Sequence, residues 1–320
     1  PKIRFLSCSE RKVSANAGEL ESRRKEKGHS MARFLGKTAT AACFRAPPVF
    51  VAAAARRGGR TTLLHQQHGD FMKGVGWLTP AARKLSTGSS LYGTHVPTTF
   101  VQKVMLAGEA AFGALRDPER ADLVATLGDT TGTLSLSTMH ERMQVDEIGR
   151  EILQERPVIA ESTRIEVLRE YPAGTFGKAY ADWMEARQYR PEERPEVKYV
   201  DDPELAYVMQ RYREVHDFVH VLTGLGSTEE EEIAIKWFEL LQTGLPVCLL
   251  SATVGPTRLT SAQRIRMAAE WVPWAVRCSV QVPFFLNIYF ERLFEHDIQE
   301  LRRELDVAPP PYGVPVQQTA

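Results

Sequence analysis

A short stretch of the 320-residue chain, from His216 to Glu232, constrains its fold more than any other part. His216 and His220 stand at positions i and i+4, so in an α-helix their imidazoles lie on one face, one turn apart. Asp217, at position i−3 from His220, can turn its carboxylate to the same side. Because the flanking apolar residues recur at helical spacing, both histidines lie at the edge of an apolar stripe and are expected to be partly buried.

Start and stop residues predict that this helix is the first half of a helical hairpin. Residues Asp202 to Glu204 supply an N-cap, a proline in the first turn and an early acid, and Gly224 ends the helix. Residues Ser227 to Glu230 fit a capping box for the second helix. So short a turn makes the two helices antiparallel, and Glu232 is then expected to face the two histidines.

Two interpretations account for this group of imidazoles and carboxylates. Burying such side chains is costly unless they are paired, and a hydrogen-bonded polar pocket would pair them. A divalent metal ion bound by all four would do the same, and two nitrogens with two oxygens suit Zn²⁺, Fe²⁺ or Mn²⁺. The predicted ligands are His216, Asp217, His220 and Glu232. The pattern alone leaves both interpretations open, since the sequence motifs of zinc proteases and of di-iron bundles are absent.

Arg213 and Lys236 are further polar candidates near this group. Arg213 precedes Asp217 by one helical turn, and Lys236 follows Glu232 by one turn. Each has two interpretations: a contact to a second carboxylate or an anionic substrate, or a surface salt bridge. No other catalytic residue and no organic cofactor is predicted.

The charges divide the chain into a basic leader and an acidic body. Residues 1–90 hold 17 Lys/Arg and 5 Asp/Glu, although the formal net charge of the whole chain is zero, which argues against a nucleic-acid-binding protein. From Met31 to Gly69 there is no acidic residue, while arginines recur among alanines, threonines and apolar residues. This composition is typical of an organelle transit peptide, and a disordered basic tail is the alternative. We therefore predict a transit peptide and N-terminal extension over residues 1–90.

The remainder has the pattern of one mostly helical domain over residues 91–307, followed by a proline-rich tail over residues 308–320. Val197–Val200 is the single short strand candidate. The few cysteines include no Cys-x-x-Cys pair, and no apolar run is long enough to span a membrane. The other predicted helices are Val101–Leu115, Asp117–Leu127, Leu134–Arg142, Ile148–Gln154, Lys178–Ala186, Thr260–Trp274 and Asn287–Leu305.

The hairpin and its surroundings resemble the Coq-four family of mitochondrial ubiquinone-biosynthesis proteins. The resemblance is carried by His216-Asp217-x-x-His220, followed after eleven residues by Glu232. Other segments similar to the family are Asp201–His216, Gly174–Tyr180, Lys236–Pro246, Tyr289–Glu291 and Asp297–Leu305. The resemblance spans roughly Leu91 to Val307, the whole predicted domain.

The resemblance implies an all-α protein that binds Zn²⁺, or else Fe²⁺ or Mn²⁺, through the four predicted ligands. It implies a lyase that removes the C1 carboxylate of a polyprenylated hydroxybenzoate and, in the fuller description of the family, replaces it by hydroxyl. It also implies peripheral attachment to the matrix side of the mitochondrial inner membrane, frequent homodimerisation, and assembly with other ubiquinone-synthesis enzymes in a multi-subunit complex.

Two other functions are compatible with the same residues. The protein could be a non-catalytic, lipid-binding scaffold of that complex, with a structural metal. An unrelated hydrolase would need a separate general base, and the sequence offers no convincing one. A prenyl tail also requires an apolar trench, and the stretch Trp271–Phe294 supplies either that trench or a helical core.

Overall fold

The computed structural model describes residues 90–117, 120–159 and 164–312, which form helices and connecting segments within one compact unit. None of these residues belongs to a β-strand. The prediction of a single all-α domain is confirmed. The predicted transit peptide lies outside the described residues and stays a prediction. No helix in the described ranges combines the length and the hydropathy that crossing a membrane requires.

The helices follow one another in short steps along the chain. The α-helices are α1 (Phe100–Arg116), α2 (Ala121–Thr131), α3 (Thr133–Val145), α4 (Glu147–Glu155), α5 (Ile165–Arg169), α6 (Phe176–Arg187), α7 (Pro203–Thr223), α8 (Glu229–Thr243), α9 (Pro246–Val254), α10 (Ser261–Arg266), α11 (Val272–Gln281) and α12 (Ile298–Glu304). Single 3₁₀ turns are Pro191–Glu193, Gly255–Thr257, Phe285–Asn287 and Phe290–Arg292, and Met267–Trp271 is a π-helical turn.

The predicted hairpin is α7 and α8. The Asp202 carboxylate accepts hydrogen bonds from the first backbone N–H groups of α7, and Gly224 ends it in the left-handed region with φ 78°. The capping box of α8 begins at Thr228, one residue later than predicted. The reason is Glu231, whose carboxylate also accepts a hydrogen bond from the Gly226 N–H and so closes the turn.

Helix α7 is the central element, because every residue from Arg211 to Thr223 is buried. Helices α3, α6 and α12 pack around it, while α8 packs against α9 and α11. A cluster of aromatic rings lies on one side of α7, with centroid distances of 4.4–6.1 Å. Its members are Phe176, Tyr180, Phe218, Phe290 and Phe294. Most apolar residues of Trp271–Phe294 are therefore core.

The predicted C-terminal helix Asn287–Leu305 is wrong in its first half. Helix α12 begins only at Ile298, with Asp297 as its N-cap, and two 3₁₀ turns precede it. Groups distant in the chain donate hydrogen bonds to the backbone carbonyls that would otherwise accept helical hydrogen bonds. Arg211 donates to the Ile288 carbonyl at 2.9 Å. The first N–H groups of α6 donate to the carbonyls of Phe294 and His296 at 2.9 and 2.8 Å.

Two further predictions are corrected. Residues Val197–Val200 form no strand, and the Asp129 carboxylate accepts the N–H groups of Lys198 and Tyr199. The helix predicted to end at Trp274 continues through a π turn and α11 to Gln281. The π turn widens the helix just ahead of Pro273, whose ring would otherwise clash with the preceding turn.

The first part of the predicted proline-rich tail contacts the domain. The indole N–H of Trp274 donates to the Ala308 carbonyl at 2.9 Å, and the rings of Tyr312 and Trp271 lie 5.9 Å apart. Residues 313–320 lie outside the described residues.

Candidate metal centre

Three of the four predicted ligands meet between α7 and α8. The Nε2 atoms of His216 and His220 are 3.2 Å apart, and the Glu232 carboxylate lies 3.6 and 3.4 Å from them. One donor atom from each side chain can be chosen so that all lie within 4.8 Å of one another. The helical period and the short turn bring these residues together, as the sequence predicts. We call His216, His220 and Glu232 the His-His-Glu cluster.

The His-His-Glu cluster is buried on one side and open on the other. The side chain of His220 is fully buried and that of His216 is 11% exposed, while Glu232 keeps 38% of its side-chain surface. A cavity of about 390 Å³ is lined by Glu232 and His216, and His220 is not among its lining residues. A ligand could therefore approach from the side of Glu232 and His216, while His220 is fully buried.

The cavity has an apolar and a polar part, which we call its walls. The apolar wall consists of Ala121, Val124, Ala125 and Gly128 of α2 together with Met209 and Val247. The polar wall consists of Arg190, Arg194, Arg213, His216, Asp217, Glu232 and Lys236. Such a division suits an amphiphilic molecule with a polar head and an apolar extension.

Glu239, which the sequence analysis missed, lies directly behind His216. Its fully buried carboxylate is 2.6 Å from the Nδ1 of His216 and accepts from Lys236 at 2.6 Å and from Tyr212 at 2.7 Å. Glu239 follows Glu232 by two helical turns and so shares its face of α8. That spacing is a pattern from which it could have been found. Lys236 is thus paired with the buried carboxylate of Glu239.

The charges in this group shift one another's pKa values. Burial alone would raise the pKa of Glu239, but Lys236 and His216 outweigh it and the pKa is lowered. Burial and Lys236 would lower the pKa of His216, yet Glu239 and Glu232 raise it. Burial would raise the pKa of Glu232, but the two histidines hold it well below its usual range. Both carboxylates are therefore ionised near neutral pH.

The donor set of the His-His-Glu cluster fits a divalent cation. Two imidazole nitrogens 3.2 Å apart would repel each other through their lone pairs unless a proton or a cation lies between them. Two nitrogens and a carboxylate, without thiolate, suit Zn²⁺, Fe²⁺ or Mn²⁺. That a metal binds here stays a prediction.

A comparison with known proteins follows from this geometry. The pattern of the family described as "Coenzyme Q (ubiquinone) biosynthesis protein Coq4" matches residues 92–311, which include the whole cluster and its cavity. The chain belongs to the Coq4 family. Its role therefore lies in ubiquinone biosynthesis.

Individual Coq4 proteins agree with this assignment. The mitochondrial ubiquinone biosynthesis protein COQ4 homologue of Bos taurus is 46% identical over 234 residues, covering 72% of this chain and 88% of that protein. The homologue of Homo sapiens, also named mitochondrial, is 43% identical over 236 residues, covering 73% and 89%. A crystal structure of a Nostoc punctiforme protein assigned to ubiquinone biosynthesis superposes with a TM-score of 0.50. It is 20% identical, covers 62% of this chain and 95% of that one, and supports the fold alone.

Asp217, the remaining residue of the Coq4-like motif, has a different partner. The Arg194 guanidinium binds its buried carboxylate through two nitrogens, Nε at 3.0 Å and a terminal nitrogen. Burial would lower the pKa of Arg194, but Asp217 raises it. Asp217 lies outside the group of close donor atoms, so its role as a metal ligand stays a prediction. No local pattern indicated Arg194, which lies in an irregular segment ahead of α7.

Arg213 is buried, which corrects the interpretation as a surface salt bridge. Its guanidinium donates to Asp129 at 2.5 Å and to the carbonyls of Ala125 and Pro195 at 2.8 and 3.1 Å. Its partner Asp129 is a carboxylate outside the four predicted ligands; it lies on α2 and does not belong to the His-His-Glu cluster. In this Coq4-family protein, Arg213 therefore connects α2 to α7 beside the cavity.

Proposed function

We propose that this protein is a carbon–carbon lyase of ubiquinone biosynthesis that removes the C1 carboxylate of a polyprenylated hydroxybenzoate. The observation that carries the proposal is the His-His-Glu cluster, whose His216 and Glu232 line a cavity that also has apolar lining residues. The polar lining residues suit the aromatic acid, and the apolar ones suit the start of the prenyl chain. The same residue pattern carries the resemblance to the family.

His216, His220 and Glu232 would hold the metal ion, with Zn²⁺ proposed and Fe²⁺ or Mn²⁺ as alternatives. A divalent cation bound there supplies Lewis-acid polarisation of an oxygen atom of the substrate. The α2 residues that line the cavity would orient the ring by confining its apolar substituent. Lys236 is paired with Glu239, and Arg194 with Asp217. These ion pairs hold the cationic side chains of the polar wall in place.

The test compares Glu232→Gln with Glu229→Gln, an exposed glutamate in the first turn of the same helix. A substrate labelled with ¹³C in its carboxylate reports decarboxylation as labelled CO₂, and mass spectrometry reports metal per chain. We expect Glu232→Gln to lose its metal and to slow CO₂ release by at least about 100-fold. Glu229→Gln should match the wild type in both measurements. Undiminished CO₂ release from folded Glu232→Gln would contradict the catalytic assignment.

A non-catalytic, lipid-binding scaffold of the ubiquinone-synthesis complex is the second candidate. The exposed apolar residues of α1 favour it, because a helix that leaves such side chains in water offers a surface for lipid or protein. In that case the metal is structural, and Glu232→Gln would weaken assembly with the other enzymes rather than CO₂ release.

We further propose that the protein acts in the mitochondrion, peripherally on the matrix side of the inner membrane, as a homodimer or within the enzyme complex. The mitochondrial names of its relatives support the compartment. The apolar residues of α1 support membrane attachment by a helix lying on the surface.

A further inference from the structure

We propose that Glu239 is a positioning residue that selects which nitrogen of His216 faces the His-His-Glu cluster, and thereby sets the affinity of the cluster for a metal ion. The inference rests on the metal site proposed above. It assigns a function to a buried carboxylate that lies outside the Coq4-like ligand motif.

The geometry behind His216 leaves Glu239 a single orientation. One carboxylate oxygen, Oε1, lies 2.6 Å from the Nδ1 of His216. The other, Oε2, accepts from the Lys236 ammonium at 2.6 Å and from the Tyr212 hydroxyl at 2.7 Å. A carboxylate held by donors on both oxygens cannot turn away from the imidazole without breaking two further hydrogen bonds in a buried site.

This arrangement determines the tautomer of His216. An ammonium group has only donors, so Glu239 meets Lys236 as an acceptor and presents its second oxygen to His216 as an acceptor too. The Lys236 ammonium is also 3.5 Å from Nδ1, but the Glu239 oxygen is much closer, at 2.6 Å, and favours an N–H at Nδ1. In the neutral imidazole this leaves the lone pair of Nε2 directed at His220 and Glu232. In the opposite tautomer, Nδ1 and Oε1 would oppose two lone pairs at 2.6 Å.

The charge of Glu239 is balanced within the same network. Lys236 lies one turn before Glu239 on α8 and pairs with it, so the two add no net charge behind His216. A carboxylate that accepts the distal N–H of a ligating imidazole fixes the ring and makes the ligating nitrogen more basic. Glu239 can therefore strengthen His216 as a ligand without an unpaired buried charge.

His220 has no equivalent support. Its Nδ1 is buried and finds no hydrogen-bond partner among the described residues, while its ring packs against Trp183 at 5.1 Å. The two histidines are thus unequal: contacts with apolar and aromatic groups hold His220, whereas a charged hydrogen bond holds His216. The effect of Glu239 should reach the cluster through His216 alone.

The first measurement is made on the wild-type side chains of the cluster. Long-range ¹H–¹⁵N spectra of the full-length, metal-free protein report which nitrogen of His216 carries the proton, with His216→Gln used for assignment. We expect the proton at Nδ1. A neutral His216 whose proton lies at Nε2 in the folded wild type would overturn the proposal, whether or not the protein binds metal.

The second measurement is Zn²⁺ affinity by competition with a chromophoric chelator. Glu239→Gln keeps the size of the side chain but removes its charge, and we expect affinity to fall by about 10–100-fold, with His216 shifting toward a mixture of tautomers. Glu214→Gln is the matched control, because Glu214 is a buried glutamate whose carboxylate bonds to Ile159 and Gln210 and not to a histidine. That control should bind Zn²⁺ like the wild type.

The outcomes separate this inference from the proposed function. If the wild type binds no Zn²⁺ while His216 carries its proton at Nδ1, the metal site fails and the tautomer assignment stands. If Glu239→Gln stays folded by circular dichroism and binds Zn²⁺ with wild-type affinity, the positioning role is wrong and the metal site stands. Tyr212→Phe removes one donor to Glu239 and leaves the His216 contact, so it should lower affinity less than Glu239→Gln does.

Discussion

At the scale of single residues, Asp217 is a motif residue whose partner in the structure is an arginine. Its carboxylate is almost fully buried and bound by two nitrogens of Arg194. A buried acid needs such a partner, because an unpaired charge in the interior is strongly destabilising. The pair also connects α7 to the irregular segment at the cavity mouth.

Arg194→Met should therefore lower the free energy of unfolding by about 3 kcal/mol, because it leaves Asp217 buried without a cation. Urea unfolding in the presence of EDTA measures this, since no metal ion can then replace the guanidinium. Arg190→Met is the control: Arg190 is exposed, forms no ion pair with a described residue, and should change stability by no more than about 0.5 kcal/mol. Equal stability of the two variants would show that Asp217 does not depend on Arg194.

Glu239 gives a pH dependence whose sign follows from its environment. Lys236 and His216, acting against burial, lower its pKa below the ordinary 4.5. A carboxyl with a lowered folded pKa stabilises the fold above its unfolded pKa, and that contribution is lost as pH falls through the folded pKa. Glu239→Gln should cost about 3 kcal/mol near neutral pH, and the difference from the wild type should shrink below about pH 4.

Glu214 should show the opposite pH dependence from Glu239. Burial raises its pKa, so its ionisation opposes folding as pH rises. The free energy of unfolding of Glu214→Gln, relative to that of the wild type, should therefore be higher at neutral pH than in acid. Urea unfolding of both variants at several pH values measures the two trends. Parallel trends would contradict the assignment of Glu239.

At the scale of elements, α1 stands apart from the rest of the domain. It packs chiefly against α2, and Ala110 is its single fully buried residue. Its apolar spacing predicted a helix correctly, but most of the apolar side chains do not enter the core. Phe100, Val101, Val104, Met105, Phe112 and Leu115 are all more than two-fifths exposed. A helix with such a face suits the surface of a membrane.

Val101→Glu with Met105→Glu should reduce vesicle binding, because two charges on the exposed face oppose its entry into the apolar layer. Flotation with vesicles of phosphatidylcholine and cardiolipin measures the bound fraction, which we expect to fall at least about fivefold. The matched control is Val276→Glu with Val280→Glu, two exposed valines at the same spacing on α11. Loss of binding in both double variants would indicate a general effect of charge rather than a membrane face on α1.

At the scale of the whole molecule, the core protects both cysteines of the described residues. Cys248 lies against Tyr212 and Glu239, and burial raises the pKa of its thiol to about 12. Burial likewise raises the pKa of Cys278 to about 11. Both thiols therefore stay protonated well above neutral pH, and the thiolate is the reactive form.

Iodoacetamide at pH 8 should alkylate Cys248 and Cys278 in the native protein at least about 100-fold more slowly than in urea, because a raised pKa and burial act in the same direction. Peptide mass spectrometry follows each site separately. Glu239→Gln removes a negative charge near Cys248 and not near Cys278, so only Cys248 should react faster in that variant. Native alkylation as fast as in urea would show that the core opens readily.

Local sequence patterns determined the helical class, the α7–α8 hairpin and the meeting of His216, His220 and Glu232. All three depend on the helical period, on caps such as Asp202 and Thr228, and on a turn too short to allow any other arrangement. These are interactions between residues close in the chain. Sequence alone could therefore predict them, apart from a shift of one residue in the second cap.

Tertiary packing decided which groups face one another across distant segments. Arg194 binds Asp217 from an irregular segment. Arg211 and the first N–H groups of α6 donate to backbone carbonyls between Ile288 and His296, and this stretch therefore does not form a helix. Such pairings depend on how buried polar groups find partners over the whole fold, and no local period encodes that choice.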